Sequence, residues 1–362
     1  MGLSTIGITP AYRILANGGD ITSTIAARFV SLVLTDETGD NADTMELTLA
    51  DHDNAAPITI PPTGGEVEVF IGYDAVATRK GLFIFDEVTL SGDPGLMVLH
   101  ARAAPFAATP AGKTDMQTQK SRIWKDGTTL GALVDKVATE HGMSAAVSSS
   151  LQSVVLPHTT QDGESDINLL LRLAKRYDAT VKPAGGVIVF AKRGEAQTMS
   201  GAALPSFTVD RTDCLPAGGW SMTKNIRGTV GTVVATYHDH ETGERHVVQV
   251  GSSDPVHQIR FGFKNAAEAL AAAQGQMTKR LRAGTRLHLS LPGHPEFLAE
   301  ATLTLTGFRT GVPTDWIITS VRDSIDPGGA YTTNIEAELP NDATADAEES
   351  DTETDNPDAM GG

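Results

Sequence analysis

His238, Asp239, His240 and His246, clustered in "YHDHETGERH", carry donors that zinc or iron accepts, neutral imidazole and carboxylate. Read as two strands joined through "ETGE", however, the segment sends His238 and His240 to one face and Asp239 to the other. Exposed hairpin polars are the better reading. Glu164 and Asp166 suggest a second chemistry, the paired carboxylates of a glycosidase. Both stand where a helix begins, and acids there stabilise the positive end of the helix dipole without any catalytic task. Cys214, in "DRTDCLPAGG", lacks an accompanying His motif that would activate a nucleophile. His288 and His294 merely flank a Pro-Gly turn. "GDPG" and "IDPGG" are turn sequences outside any strand, Gly-rich loop and helix succession, so they do not cradle phosphate. The residues predict no enzyme and no cofactor.

The elements around these residues are strongly patterned. From residue 11 to about 110 the chain alternates with period two: Met45, Leu47 and Leu49 oppose Glu46 and Thr48, and "EVEVFIGY", "GLFIFDEVTL" and "GLMVLHARA" follow. Short strands at this spacing predict a sandwich or barrel. Between about 120 and 204 the period becomes helical. Thr128 or Thr129 caps a helix with an apolar stripe of Leu130, Leu133, Val134, Val137 and Ala138, and Gly142 stops it. A second helix has Ser165 as N-cap, Asp166 at its positive end, and Lys175 and Arg176 at its negative end. Its stripe reads Ile167, Leu170, Leu171, Ala174 and Tyr177, widened by Leu169 and Leu173, so cover on two sides is expected. A hairpin through Gly185 and Gly186 completes a small α+β domain. Strands return from about 205 to 340, interrupted by one helix that Asn265 and Glu268 open and Gly284 closes.

Composition limits the partners. The formal charge is −17, and Asn341 to Gly362 hold eight acids with no Lys or Arg, leaving about −9 elsewhere. No basic run exceeds "KRLR" at 279 to 282, so sequence-specific nucleic-acid binding is not expected. A single cysteine excludes an intrachain disulfide framework and suits synthesis in a reducing cytosol. Neither a secretory leader nor a membrane span is expected, since no run approaches ~18 apolar residues. The tail, poor in apolar residues, is expected to be disordered.

One internal match stands out. "FIFDEVTLSGDPG" (83 to 95) and "WIITSVRDSIDPG" (316 to 328) align without a gap over 13 residues, aromatic on aromatic and Asp-Pro-Gly on Asp-Pro-Gly. Upstream, Tyr73 and Phe308 each follow a Gly at a strand end. Duplication explains this better than two chance hairpins.

The segments "SRIWKDGTTLGALVDKVATEHGM", "ESDINLLLRLAKRYDATVKPAGGVIVF" and "GFRTGVPTDWIITSVRDSIDPGGAYTTNIEAEL" together resemble the phage late control D family, hub proteins of contractile-tail baseplates. The opening "TPAYRILANGGDITSTI" and "SLVLTDETGDNADTMELTLADHD" are similar to that family's first strands, so the likeness spans roughly residues 8 to 340. The ESD, helix and hairpin unit is its specific part. The resemblance implies an α+β, β-rich fold with two tail-tube-like β-barrel domains and an inserted small α+β domain. The expected division is 1–118 for the first barrel, 119–204 for the insert, 205–340 for the second barrel with one helix, and 341–362 for the acidic tail. Strands exchanged between the barrels are compatible with it.

It also implies a homotrimer in the virion tail baseplate, made in the host bacterial cytoplasm. Such a ring adapts a hexameric tail tube, or its tube-initiator protein, to a trimeric tail spike and lines the channel for tape-measure protein and DNA. The particle is a phage tail, a tailocin or another injection particle. The insert breaks the sixfold equivalence, and Arg172, Lys175 and Arg176 on its helix are the expected partner interface. In related hub and spike fusions a spike domain follows the hub; here only 22 acidic-tail residues do, so the spike is expected on a separate chain. Nothing resembles a helix-turn-helix, which argues against a transcriptional role. The alternative, a tail-associated cell-wall hydrolase component, finds no residues to support it.

Overall fold

The computed structural model describes residues 9–38, 42–53, 56–62, 64–74, 76–103, 115–184, 186–193, 204–216, 218–225, 231–238, 243–263, 265–326, 328–340 and 347–348. They form two compact units. The first comprises Met1–Lys175, Ala179–Met222 and Leu287–Glu338; the second comprises Arg176–Asp178, Thr223–Arg286 and Leu339–Gly362.

The first unit opens with β1 (Pro10–Ala16), β2 (Gly19–Asp20) and the short α1 (Thr22–Ile25). There follow β3 (Phe29–Glu37), β4 (Thr44–Ala50), β5 (Glu66–Tyr73), β6 (Val76–Ser91) and β7 (Leu96–Ala103). Period two decides which side chains turn inward. Met45, Leu47 and Leu49 of β4 meet Val67, Val69 and Ile71 of β5 in one core. Each contributes about 1.5–3 kcal/mol by leaving water.

Residues 119–192 run through β8 (Gln119–Trp124), α2 (Leu130–Glu140), β9 (Ser144–Val147), α3 (Ser149–Gln152), β10 (Thr159–Ser165), α4 (Asp166–Tyr177), β11 (Ala179–Ala184) and β12 (Val187–Lys192). Thr129 caps α2 by accepting from the Ala132 N–H at 3.2 Å, and all five expected stripe residues are buried. α4 is rotated from its expected setting. Its buried residues are Asp166, Leu169, Leu170, Leu173 and Ala174, whereas Ile167, Leu171 and Tyr177 are only partly covered. The reason is Asp166: a buried polar contact at the first turn fixes the helix azimuth, and Leu169, Leu170 and Leu173 then face the core. β12 pairs antiparallel with β11 and parallel with β9, closing a three-stranded sheet. Gly185 lies outside the described residues, while Gly186 takes the left-handed conformation that the turn needs, φ +82°.

The rest of the chain supplies β13 (Ser206–Asp210), β14 (Trp220–Lys224), β15 (Thr232–His238), β16 (Arg245–Val250), β17 (Val256–Phe263) and α5 (Ala266–Gly284). It ends with β18 (Thr285–Pro292), β19 (Thr302–Thr306), β20 (Asp315–Ile325), β21 (Tyr331–Glu338) and β22 (Ala347–Glu348). The sequence placed residues 205–340 in one strand domain; within that range Thr223–Arg286 belong to the second unit. That unit has its own sheet, in the order β17-β15-β16-β22, and a core of Val233, Ala235, Val250, Ala269 and Ala273 beneath α5. Asn265 caps α5 by accepting from the Glu268 N–H at 2.8 Å. Of the acidic tail only Ala347–Glu348 is described, paired antiparallel with Gln249–Val250.

The duplication is visible in the strand ladder. The 13-stranded sheet contains two six-strand runs, β3-β4-β7-β6-β5-β1 and β14-β18-β21-β20-β19-β13, joined where β3 pairs with β20. In the first copy the β6–β7 register slips between Phe85 and Glu87; in the second the β20–β21 register slips between Ile318 and Ser320. The extra residues, Asp86 and Thr319, occupy the same position of the 13-residue match. The copies diverge at their edges: β1 meets β5 antiparallel, but β13 meets β19 parallel.

Candidate functional site

A bulge in β10 between Gln161 and Glu164 delivers the Glu164-Ser165-Asp166 triplet to the start of α4, with Gly163 at φ +58° making the bend. Each residue has a separate job. Glu164 grips Arg172 two turns along the helix, at 3.0 Å from Nε and 2.7 Å from Nη2. Ser165 Oγ accepts from the Asn168 N–H at 3.4 Å, the N-cap bond. Asp166, fully buried, accepts from Lys120 Nζ at 2.7 Å, Arg122 Nη2 at 2.6 Å, and Gln161 Nε2 at 2.8 Å. His141 Nε2 completes the set at 2.8 Å. Arg122 also reaches Glu140 at 2.6 Å and lies over the Trp124 ring at 4.5 Å. Burial works against the Asp166 charge, but hydrogen bonds from Lys120, Gln161 and His141, with the Arg122 charge, outweigh it and hold the carboxyl below its ordinary value. A general acid needs the opposite shift.

Arg172, Lys175 and Arg176 lie at i, i+3 and i+4 on one exposed face of α4. The structure puts them on a common face, and Arg172 and Arg176 make local contacts there. Arg172 is bound to Glu164 and to the Thr160 carbonyl at 2.9 Å, and Arg176 approaches Glu268 at 3.8 Å while lying against the Tyr177 ring.

The other candidates stay apart. His246 stacks on Tyr237 with ring centroids 5.1 Å apart and faces Glu244 at 3.9 Å; Asp239 and His240 lie outside the described residues. Among the described residues no group of three His, Cys, Asp or Glu is placed to hold a metal. Burial pushes the Cys214 thiol up, away from the thiolate a nucleophile needs. His294 packs among Phe207 and Phe297, and burial lowers its basicity.

Two ion clusters went unnoticed in the sequence. In the first, Lys80 of β6, 7% exposed, meets Asp323 of β20 at 2.7 Å, and Asp323 also accepts from Tyr331 Oη at 3.0 Å and Thr333 Oγ1 at 2.6 Å. It ties the two strand runs together. Beside it, Tyr73 Oη donates to the Gly293 carbonyl at 2.7 Å, and a Cβ at Gly293 would overlap the Tyr331 ring. The legible signal was a charge at an inward position of β20, between Val321 and Ile325.

In the second cluster, Lys182 of β11 faces both Asp36, 3.1 Å, and Asp43, 2.7 Å, while the Ala299 N–H donates to Asp36 at 2.9 Å. Burial first, then the Asp36 charge, push the Asp43 carboxyl up to about 6. Its proton is therefore held more tightly in the folded state than in the unfolded one. The stability this gives is complete below the ordinary value of 3.8 and is lost as pH rises through about 6. Asp43→Asn should melt level with the parent near pH 4 and above it at about pH 7.5, by about 2 kcal/mol. Thermal melts across that range check it.

Asp166→Asn should cost about 1–3 kcal/mol in urea unfolding, because the amide turns donors against donors. The loss stays moderate since Lys120 and Arg122 keep Glu140 and some contact with water, at 26% and 21% exposure.

With this geometry fixed, the known proteins that match can be judged. A family model described as the phage tail baseplate hub (GPD) matches residues 91–327, well over half of the chain. The chain belongs to that baseplate hub family. Its place is thus the baseplate of a phage tail virion, as the ESD, helix and hairpin unit led one to expect. A probable baseplate hub protein of Escherichia phage P2 is 29% identical over 92% of this chain and 94% of its own length. The hub fold extends to solved structures. The 43 kDa tail protein of prophage MuSo2 from Shewanella oneidensis shares it at TM-score 0.68 and 14% identity, covering 92% of this chain and 99% of that one. A chain of the Francisella PdpA-VgrG complex matches at TM-score 0.52 and 7% identity, covering 96% of this chain and 61% of that one. Among the described residues no helix is long and apolar enough to cross a membrane.

Proposed function

We propose that this baseplate hub is a non-enzymatic homotrimer that adapts a hexameric tail tube to a trimeric spike and lines the channel for tape-measure protein and DNA. The single observation that supports this most is the duplicated strand run with its bulge in the same place. Three chains with two like runs offer six similar positions on one face, and the unrepeated insert offers three on the other. On this reading each run closes into a barrel with β3 and β20 at their joint; residues 1–118 supply the first, the parts of 205–340 outside Thr223–Arg286 the second, and 119–204 is the insert. Arg172, Lys175 and Arg176 belong to the three-fold side, with Arg172 presented rigidly by Glu164. The tube, or its initiator, takes the six-fold face, and the spike takes the three-fold one.

Light scattering on the purified protein mixed with its spike decides the oligomer. A trimer is expected; a stable hexamer, or a chain still monomeric with the spike present, would sink the reading. Clearing of peptidoglycan by the chain alone in a zymogram would overturn the non-enzymatic part.

A further inference from the structure

The two strand runs meet at one joint, and the repeat marks a second place built for the same joint. In the second run, β20 lies beside β19 along its first residues and then takes β3 of the first run along Ser320–Ile325. In the first run, β6 lies beside β5 as far as Ile84 and then carries only β7 along Glu87–Ser91; among the described residues nothing pairs with its other edge there. The crossing points are alike. Gly64 and Glu300, left-handed at φ +82° and +68°, donate their N–H groups to the Phe85 and Ile318 carbonyls at 2.9 and 2.7 Å. Phe85 and Ile318 hold the same position of the 13-residue match. β14, the counterpart of β3, ends the sheet: β18 flanks one edge, and among the described residues the other edge is bare. Burial marks the difference. Asp323, inward on β20, is 1% exposed, whereas Leu90 at the same place on β6 is 53% exposed.

We propose that β6 of one chain pairs antiparallel with β14 of a second copy, repeating between subunits the β20–β3 joint that each chain makes within itself. This rests on the ring of three chains proposed above, in which the runs then alternate through one kind of head-to-tail contact. The register follows from the ladder. Phe85 faces Ala101, and Ile318 faces Ala337. Ala101 faces Met45; the Gly293 N–H, donating to the Tyr331 carbonyl at 2.8 Å, sets β18 on β21 so that Leu287 faces Ala337. Met45 faces Leu34; the Ser290 N–H, donating to the Gly219 carbonyl at 2.8 Å, likewise brings Met222 opposite Leu287. Met222 therefore stands where Leu34 does. Asp323 faces Leu34 and Ser324 faces Val33, so Leu90 of one chain faces Met222 of the next, and Ser91 faces Ser221. The exposed leucine is then covered, and two bare edges satisfy each other's N–H and C=O groups. Counting the alternation from the Thr38 N–H, which donates to the Thr319 carbonyl, Ser324 and Val33 form a pair without mutual hydrogen bonds, the kind with close Cα atoms. Ser91 and Ser221 inherit that closeness.

Disulfide trapping in the full chain mixed with its spike tests this. In a Cys214→Ser background, Ser91→Cys with Ser221→Cys should oxidise to covalent dimers and trimers on a non-reducing gel, because Cα atoms about 4.5 Å apart suit a disulfide. Thr89→Cys with Ser221→Cys, two residues out of register at roughly 7–8 Å, should yield at least tenfold less. An equal mixture of the Ser91→Cys and Ser221→Cys single variants should stop at dimers, and Ser91→Cys alone should stay unlinked. Leu90→Arg gives a readout without cysteines. The side chain is exposed within its own chain, so the variant should fold, yet light scattering should place its trimer midpoint at a concentration at least tenfold above the parent's. A trimer that links no better than the out-of-register pair, a Ser91→Cys variant that links to itself, or Leu90→Arg assembling like the parent would overturn the strand pairing and leave the trimer standing. A parent chain that forms no trimer would sink both.

Discussion

Replacing Leu170 and Leu173 together by alanine is expected to melt the α+β segment of residues 119–193 while both strand runs remain folded. Leu170 is completely buried and Leu173 is 1% exposed, so each truncation opens a cavity costing about 2–5 kcal/mol. Their sum rivals the roughly 5–15 kcal/mol that holds a typical domain. The core formed by Ile14 of β1 and by β3 to β7 with Ile325 and Tyr331 contains no residue of 119–193, so it has no direct reason to fail. Hydrogen exchange read by mass spectrometry should show protection lost across 119–193 and kept across 29–103 and 315–338. Leu171→Ala, at a partly covered site, serves as the contrast and should cost much less. Uniform loss of protection, or none, would refute the separate core of the insert.

The second large effect is expected at the joint between the two strand runs. Asp323→Ala removes the only carboxylate, among the described residues, beside the Lys80 ammonium, 7% exposed, leaving it the Pro295 and Phe297 carbonyls at 3.0 and 3.4 Å, and deprives two hydroxyls of their acceptor, so a loss of about 3–5 kcal/mol in denaturant unfolding is predicted. Adding Lys80→Met should return much of it, because the unpaired charge is then gone. A double variant no better than Asp323→Ala would show that the hydroxyl bonds, not the charge pair, dominate.

How far these elements could be read beforehand depended on whether the controlling interaction was local. The α2 stripe and the inward residues of β4 follow from periodicity and one cap, and both stand as read. The azimuth of α4 did not, because Asp166 finds its partners on β8, β10 and at the end of α2, up to 46 residues away. The joint at Lys80 and Asp323 was invisible for the same reason, although a charge among inward positions hinted at it. The 13-residue match exposed the duplication yet not the parallel β13–β19 edge, since strand direction is set by connections rather than by side-chain pattern. Arg172 shows the limit on surface charge: its exposure was legible, its pairing with Glu164 was not.

The pairing of β3 with β20 also imposes an order on synthesis. Residues 32–37 find their partners at 320–325, so one edge of β3 waits until that later segment has left the ribosome. At about 5–20 residues per second that interval lasts roughly 15–60 s. An unpaired edge of this kind is a template for strands of other nascent chains. Fusions or truncations that delay or delete the 315–338 hairpin should therefore lower soluble yield during translation, even where the early strands are perfectly able to form their own core.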